Sequence, residues 1–180
     1  FGAAPVKPLV TIAPLPAEIT GEPDVEVEAI NRLRSLAAGY VVKQRKCGLE
    51  LIDKVWPSKS SGGQMGKPDL LLLLPNSKKP ACVWENKDRG TNATVALDEA
   101  KHYVAGLHRA LPGEPALPRV AAGFNGSELL LSFYNNEGAW VPLKLGGAVV
   151  KDGFPVAGLI RNGISSTGTI NVPSEIPHSP

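Results

Sequence analysis

Five consecutive leucines, Leu70–Leu74, constrain this chain more than any other feature of it. The run is far too short to cross a bilayer, which takes about 20 apolar residues, and its length suits a strand. A strand without polar alternation has to be covered on both faces, as the inner strands of α/β sheets are. Helical periodicity elsewhere supplies the covering layers. Asp24–Gly39 reads as a helix: Pro23 suits the first turn, Gly39 the C-terminal cap, and Glu26, Ile30, Leu33 and Ala37 share one face. A second helix is expected from about Ala93 to Leu111, stopped by Pro112-Gly113, with Ala96, Ala100, Tyr103 and Leu107 on its buried side.

The remaining segments read as strands and turns. Residues 41–56 suit one or two strands with a polar break, and the Gly-rich loop Ser60-Ser61-Gly62-Gly63 follows. Asn76–Pro80 turns the chain back into a strand over Ala81–Lys87. Arg119–Phe124 and Glu128–Tyr134 are strands around an Asn125-Gly126 hairpin turn, and Asn136-Glu137-Gly138 leads into a strand over Trp140–Leu145. The strand–helix–strand unit from 81 to 124 predicts a parallel pair with a right-handed crossover. The expected class is therefore α/β, with a mixed central sheet flanked by helices.

Length and composition bound the rest. A chain of 180 residues suits one domain. Its 19 glycines and 17 prolines are expected to make many turns and irregular ends. Pro5, Pro8, Pro14 and Pro16 suggest that residues 1–21 form an extended arm, and 146–180 reads as an extension or linker to a further domain, leaving 22–145 as the working unit. Cys47 and Cys82 form no CxxC pair, and His102, His108 and His178 have no ligand spacing, so neither a disulfide scaffold nor a Cys/His metal site is expected. A metal here would be held by carboxylates. No GxSxG and no GxxxxGK[ST] loop is present, and the net charge of +2 neither announces nor excludes a nucleic-acid binder. No stretch has the length and apolarity of a membrane span.

Two segments carry chemistry: Gly66-Lys67-Pro68-Asp69-Leu70 and Val83-Trp84-Glu85-Asn86-Lys87. With a turn centred on Ser77, Asp69 and Glu85 become direct cross-strand neighbours, and Lys87 shares the face of Glu85 by the strand period of two. Two carboxylates this close repel unless a cation sits between them. Mg²⁺ is the natural occupant, with Mn²⁺ as a substitute, since it prefers oxygen ligands and retains waters. A metal so held, with a lysine beside it, suits hydrolysis of a phosphodiester. The basic run Lys43, Arg45, Lys46 can meet phosphates or simply form a solvated edge.

Pro68-Asp69, a spacer of 15 residues, and then Glu85-Asn86-Lys87 resembles the PD-(D/E)xK nuclease signature. The order of elements around it, including the helix Leu97–Val104 and Gly123-Phe124-Asn125-Gly126, is similar to the N-terminal nuclease domain of type I restriction enzyme motor subunits and of restriction–methylation fusion enzymes. The resemblance covers about residues 22–135. It implies a restriction-endonuclease-like αβββαβ core and catalytic roles for Asp69, Glu85 and Lys87, with Glu26, or Glu22 in its place, completing the metal site. It also implies DNA as substrate, 5′-phosphate and 3′-hydroxyl products, and a cytoplasmic role against foreign DNA. Specificity, motor or methyltransferase parts would act alongside, and cutting both strands would favour a transient dimer. Tyr103 fits the helix tyrosine of that family as a DNA-facing residue. Glu99 stands where the family usually has glutamine, four residues before that tyrosine. Two other readings are a non-catalytic nucleic-acid-binding or scaffold module of the same fold, and a repair or junction nuclease.

Overall fold

A computed structural model describes residues 15–36, 41–58, 65–74, 77–145, 148–149 and 169–170. Its elements run α1 (Glu22–Leu36), β1 (Val41–Lys43), α2 (Glu50–Asp53), β2 (Leu70–Leu73), β3 (Pro80–Asn86), α3 (Ala93–Ala110), β4 (Val120–Phe124), β5 (Leu129–Tyr134) and β6 (Trp140–Pro142). Three short strands follow: β7 (Lys144–Leu145), β8 (Ala148–Val149) and β9 (Thr169–Ile170). Strands β1 to β6 form one sheet in sequence order, and β8-β7-β9 form a small second sheet. The main sheet is mixed, because β3 and β4 run parallel while its other neighbours are antiparallel. α3 is the crossover that a parallel pair needs.

The leucine run is buried on both faces, as its lack of alternation requires. Leu70 and Leu72 join Trp84, Ala122 and Phe124 in the core beneath α1, where Val25, Ala29, Ile30 and Leu33 pack. Leu71 and Leu73 join Val83 and Ala121 beneath α3, with Ile52 and Trp56 beside them. The β2–β3 register follows from the turn position: Leu70 faces Trp84 and Leu71 faces Val83, with a bulge between Leu72 and Leu73 where Pro80 enters the ladder.

Several expectations are corrected. α1 begins at Glu22 rather than Asp24, and the expected end at Ala37–Gly39 lies outside the described residues. The segment 41–56 gives only the three-residue strand β1 and then a helical turn, α2. The reason is Asp53, whose carboxylate accepts from Cys47 N (2.9 Å), Gly48 N (2.8 Å) and Trp56 Nε1 (3.1 Å) and so curls the chain around itself. The β4–β5 turn is centred one residue later than expected. Val120 pairs with Phe133 and Phe124 with Leu129, Gly126 takes φ +94°, and Asn125 Oδ1 accepts from Ser127 N and Glu128 N. The expected strand Trp140–Leu145 divides between the two sheets at the buried Leu143.

Ahead of α1, Leu15 and Ile19 pack against the domain, while residues 16–18 and 20 are exposed. Leu15 is buried in the α1-side core, and its N–H donates to Gly126 O at 2.7 Å. Arg89 clamps the same stretch: its guanidinium donates to the carbonyls of Leu15, Pro16 and Ile19, and also to that of Gly126. Pro5, Pro8 and Pro14 lie outside the described residues. Cys47 and Cys82 are both free and buried, and burial pushes the Cys47 thiol up to about 11. Among the described residues no helix is long and apolar enough to cross a membrane.

Candidate active site

The site forms at the end of the sheet where β3 finishes and β2 begins. Asp69 immediately precedes β2, and Glu85 is the penultimate residue of β3. The two carboxylates are interlocked through the backbone. Asp69 N donates to Glu85 Oε2 at 2.6 Å, and Asn86 N donates to Asp69 Oδ2 at 2.8 Å. Each acid thus accepts a main-chain hydrogen bond from the strand that carries the other, which fixes both as acceptors. Both are buried, Glu85 completely. The segment leading to Asp69 is held down at Gly66, where an added Cβ would lie 2.5 Å from Pro57 O and 2.6 Å from the Tyr103 hydroxyl. Only a residue without a side chain lets the loop approach α3 this closely.

Glu26 joins the pair from α1, and Arg45 makes the connection. Arg45 Nη1 lies 3.0 Å from Asp69 Oδ1 and 3.4 Å from Glu26 Oε1, and Nη2 lies 3.4 Å from Glu26 Oε2. Burial raises the Glu26 carboxyl above its ordinary value and the Asp69 charge raises it further, while Arg45 opposes both. Lys87 enters from the end of β3, its Nζ 3.0 Å from Glu99 Oε2 on α3. Asp69 and Glu85 thus lie together at one end of the sheet, and Glu26 is linked to Asp69 through Arg45. Lys87, expected beside the two acids, is instead paired with Glu99. Glu22 opens α1 one turn earlier than Glu26.

The expected DNA-contact residues separate. Lys43 and Lys46 are exposed. Arg45 turns inward onto the acids. Tyr103 is fully buried, its ring edge-on to Trp56 at 5.8 Å, so its face is part of the core and presents no platform to a nucleic acid. His102 is exposed and His108 half-buried, with Nε2 2.9 Å from Pro118 O. Glu99 is a site residue that pattern reading left without a role. Its place four residues before Tyr103, one helical turn away, was the available signal.

The donor chemistry suits a hard divalent cation, since Asp69, Glu85 and Glu26 offer only carboxylate oxygens and a guanidinium already holds the cationic position between two of them. Among the described residues, no group of three or more His, Cys, Asp or Glu side chains is drawn together as a ready metal cage. No protein-family model, no curated protein and no solved structure matches this chain.

Proposed function

We propose that this chain is a Mg²⁺-dependent DNA endonuclease domain with a restriction-endonuclease-like αβββαβ core, part of a restriction system. The observation that carries the reading is the interlocked pair Asp69–Glu85, buried at a sheet end, with Glu26 linked to Asp69 through Arg45. Burying two acids beside each other costs stability, and a core of leucines would gain nothing from it. Such an arrangement is expected where acids bind something.

Asp69, Glu85 and Glu26 would hold Mg²⁺, which when bound supplies Lewis acidity toward a phosphoryl oxygen and toward water. The protein groups do the positioning. Asp69 and Glu85 are fixed by the main chain and need no reorganisation. Lys87 orients the attacking water and offsets the negative charge that builds on the phosphoryl oxygens, and Glu99 holds the ammonium in place. The water oxygen bonds to phosphorus in line with the leaving oxygen, the P–O3′ bond breaks, and a proton ends on O3′. The products are a 5′-phosphate and a 3′-hydroxyl. Partner domains for specificity, translocation or methylation, a transient dimer for double-strand cutting, and work in the cytoplasm belong to the same proposal.

A second reading is a non-catalytic nucleic-acid-binding module, and the Arg45 ion pairs favour it, because they neutralise Asp69 and Glu26 without any metal. Calorimetric titration of Mn²⁺ or Mg²⁺ into the wild type, Glu85→Ala and Glu85→Gln, with plasmid nicking in the same samples, separates the two. The nuclease reading expects metal binding and nicking in the wild type and loss of both in the variants. Absence of both from all three proteins, with DNA present, rejects it in favour of the inert module.

A further inference from the structure

Arg45 stands on a boundary. On one side are Asp69 and Glu26; on the other is a cavity of about 310 Å³ bordered by Arg45, Lys46 and Lys67, by Trp56 and Met65, and by Asp53. With Gly66 these make seven lining residues, three of them cationic. The one acid among them, Asp53, is anchored by Cys47 N, Gly48 N and Trp56 Nε1, and the three cations outnumber it. Met65 is exposed at the rim, an apolar surface beside the lysines. The volume is at the small end of the range for ligand pockets, about 300–1,000 Å³, and matches a mononucleotide unit better than a larger molecule.

The backbone of Arg45 is unusual as well. It has φ +73°, the one positive value among the described non-glycine residues, and its N–H donates to Pro68 O at 3.0 Å, one residue before Asp69. Side-chain-bearing residues rarely adopt this conformation, and where they do the constraint is often tied to function. Here it aims a guanidinium at the junction of acids and cavity. The side chain remains 44% exposed although it spans two carboxylates. A guanidinium presents the same planar fork to a carboxylate or to a phosphate.

We propose that this cavity is a phosphate subsite for the nucleic-acid strand, adjoining the phosphodiester that is cut, and that Arg45 moves from the carboxylates to that phosphate when the strand binds. The inference rests on the nuclease reading above. While Arg45 lies against Asp69 and Glu26, it holds the position a divalent cation requires. Its departure uncovers both acids, so phosphate and metal bind cooperatively, each raising the affinity of the other by the same factor. Lys46 and Lys67 hold the incoming phosphate, and the acids are left to the metal. The small net charge of the chain is consistent with such a local arrangement, in which a few cations beside the site do the gripping.

The test is Mn²⁺ binding by calorimetry to the whole chain, wild type and Arg45→Gly, with and without the phosphorylated thymidine dinucleotide pTpT. Glycine suits φ +73°, so this variant keeps the backbone conformation while removing the side chain and its guanidinium. Arg45→Gly is expected to bind Mn²⁺ about tenfold more tightly than wild type when no nucleotide is present. pTpT is expected to tighten Mn²⁺ binding to the wild type by a similar factor, to leave Arg45→Gly unchanged, and to lose its effect in a Lys46→Ala/Lys67→Ala double variant. Equal Mn²⁺ affinity in wild type and Arg45→Gly overturns the proposal while leaving the nuclease reading intact, provided the binding depends on Glu85. So does a pTpT effect that survives loss of both lysines. Equal tightening by inorganic phosphate overturns the assignment to nucleic acid. No Mn²⁺ bound by either protein, with or without pTpT, rejects the nuclease reading and this inference with it.

Discussion

Replacing Gly123 by alanine puts the contact between α3 and the sheet under the most direct strain. Gly123 sits in β4 opposite Glu85, so the helix surface above it is also the one that brings Glu99 to Lys87. An added Cβ would overlap Leu97 N and lie 2.6 Å from Leu97 Cα and 2.8 Å from Ala93 O. All three are helix backbone atoms, which cannot turn aside as a side chain can. Restoring an ordinary separation of about 3.5–4.0 Å lifts α3 by about 1 Å, and a gap of that size forfeits about a quarter to a half of each contact's attraction. The side chains affected include Leu97, Tyr103, Val104 and Leu107, all buried under α3. The cost is about 3 kcal/mol, the upper end for overpacking. For a chain of this length that lowers the melting temperature by about 6–12 °C. Denaturant unfolding followed by tryptophan fluorescence reads this out on both faces, since Trp84 lies beneath α1 and Trp56 beneath α3. Gly113→Ala is the control: it has φ +77° but nothing within 4 Å, so it carries backbone strain alone, about 1 kcal/mol. Gly123→Ala no less stable than Gly113→Ala would refute the close helix–strand contact.

Three further outcomes are expected. On the proposed nuclease reading, Lys87→Ala lowers plasmid nicking by about 10²–10⁴ while Mn²⁺ affinity, measured by calorimetry, stays near the wild-type value, because an ammonium is no metal ligand. Asp53→Ala removes the acceptor of three N–H groups and costs about 3 kcal/mol in denaturant unfolding, with a shift in Trp56 emission. Burial holds the His108 imidazole below its ordinary value of 6.5; the bond to Pro118 O opposes this and the Arg119 charge adds to it. The unfolded chain therefore takes up the proton first, so the stability tied to neutral His108 is complete above pH 6.5 and is lost as pH falls through the depressed folded value. Thermal unfolding from pH 7.5 to 5 should show that loss in the wild type and a flatter profile in His108→Gln.

Wherever local periodicity decides structure, the chain was legible. The leucine run dictated a strand covered on both sides, and the turn at Ser77 set the parity that pairs Leu70 with Trp84 and so brings Asp69 beside Glu85. The buried face of α3 follows directly from Ala96, Ala100, Tyr103 and Leu107. Those features depend on neighbours a few residues apart or on one hairpin turn. Arg45 meeting Asp69 and Glu26 depends on residues 24 and 19 positions away, and Arg89 holding Leu15 spans 74. No periodic signal encodes such pairings, and a basic residue in a polar stretch reads as a phosphate contact or a solvated edge. Likewise, Asp53 gave no sign that it would curl residues 47–56 around a helical turn instead of a strand. The sheet and its two acids were set by pattern. Tertiary packing decided which cation faces them, because a guanidinium's partner is chosen by what folding brings within about 3 Å of it.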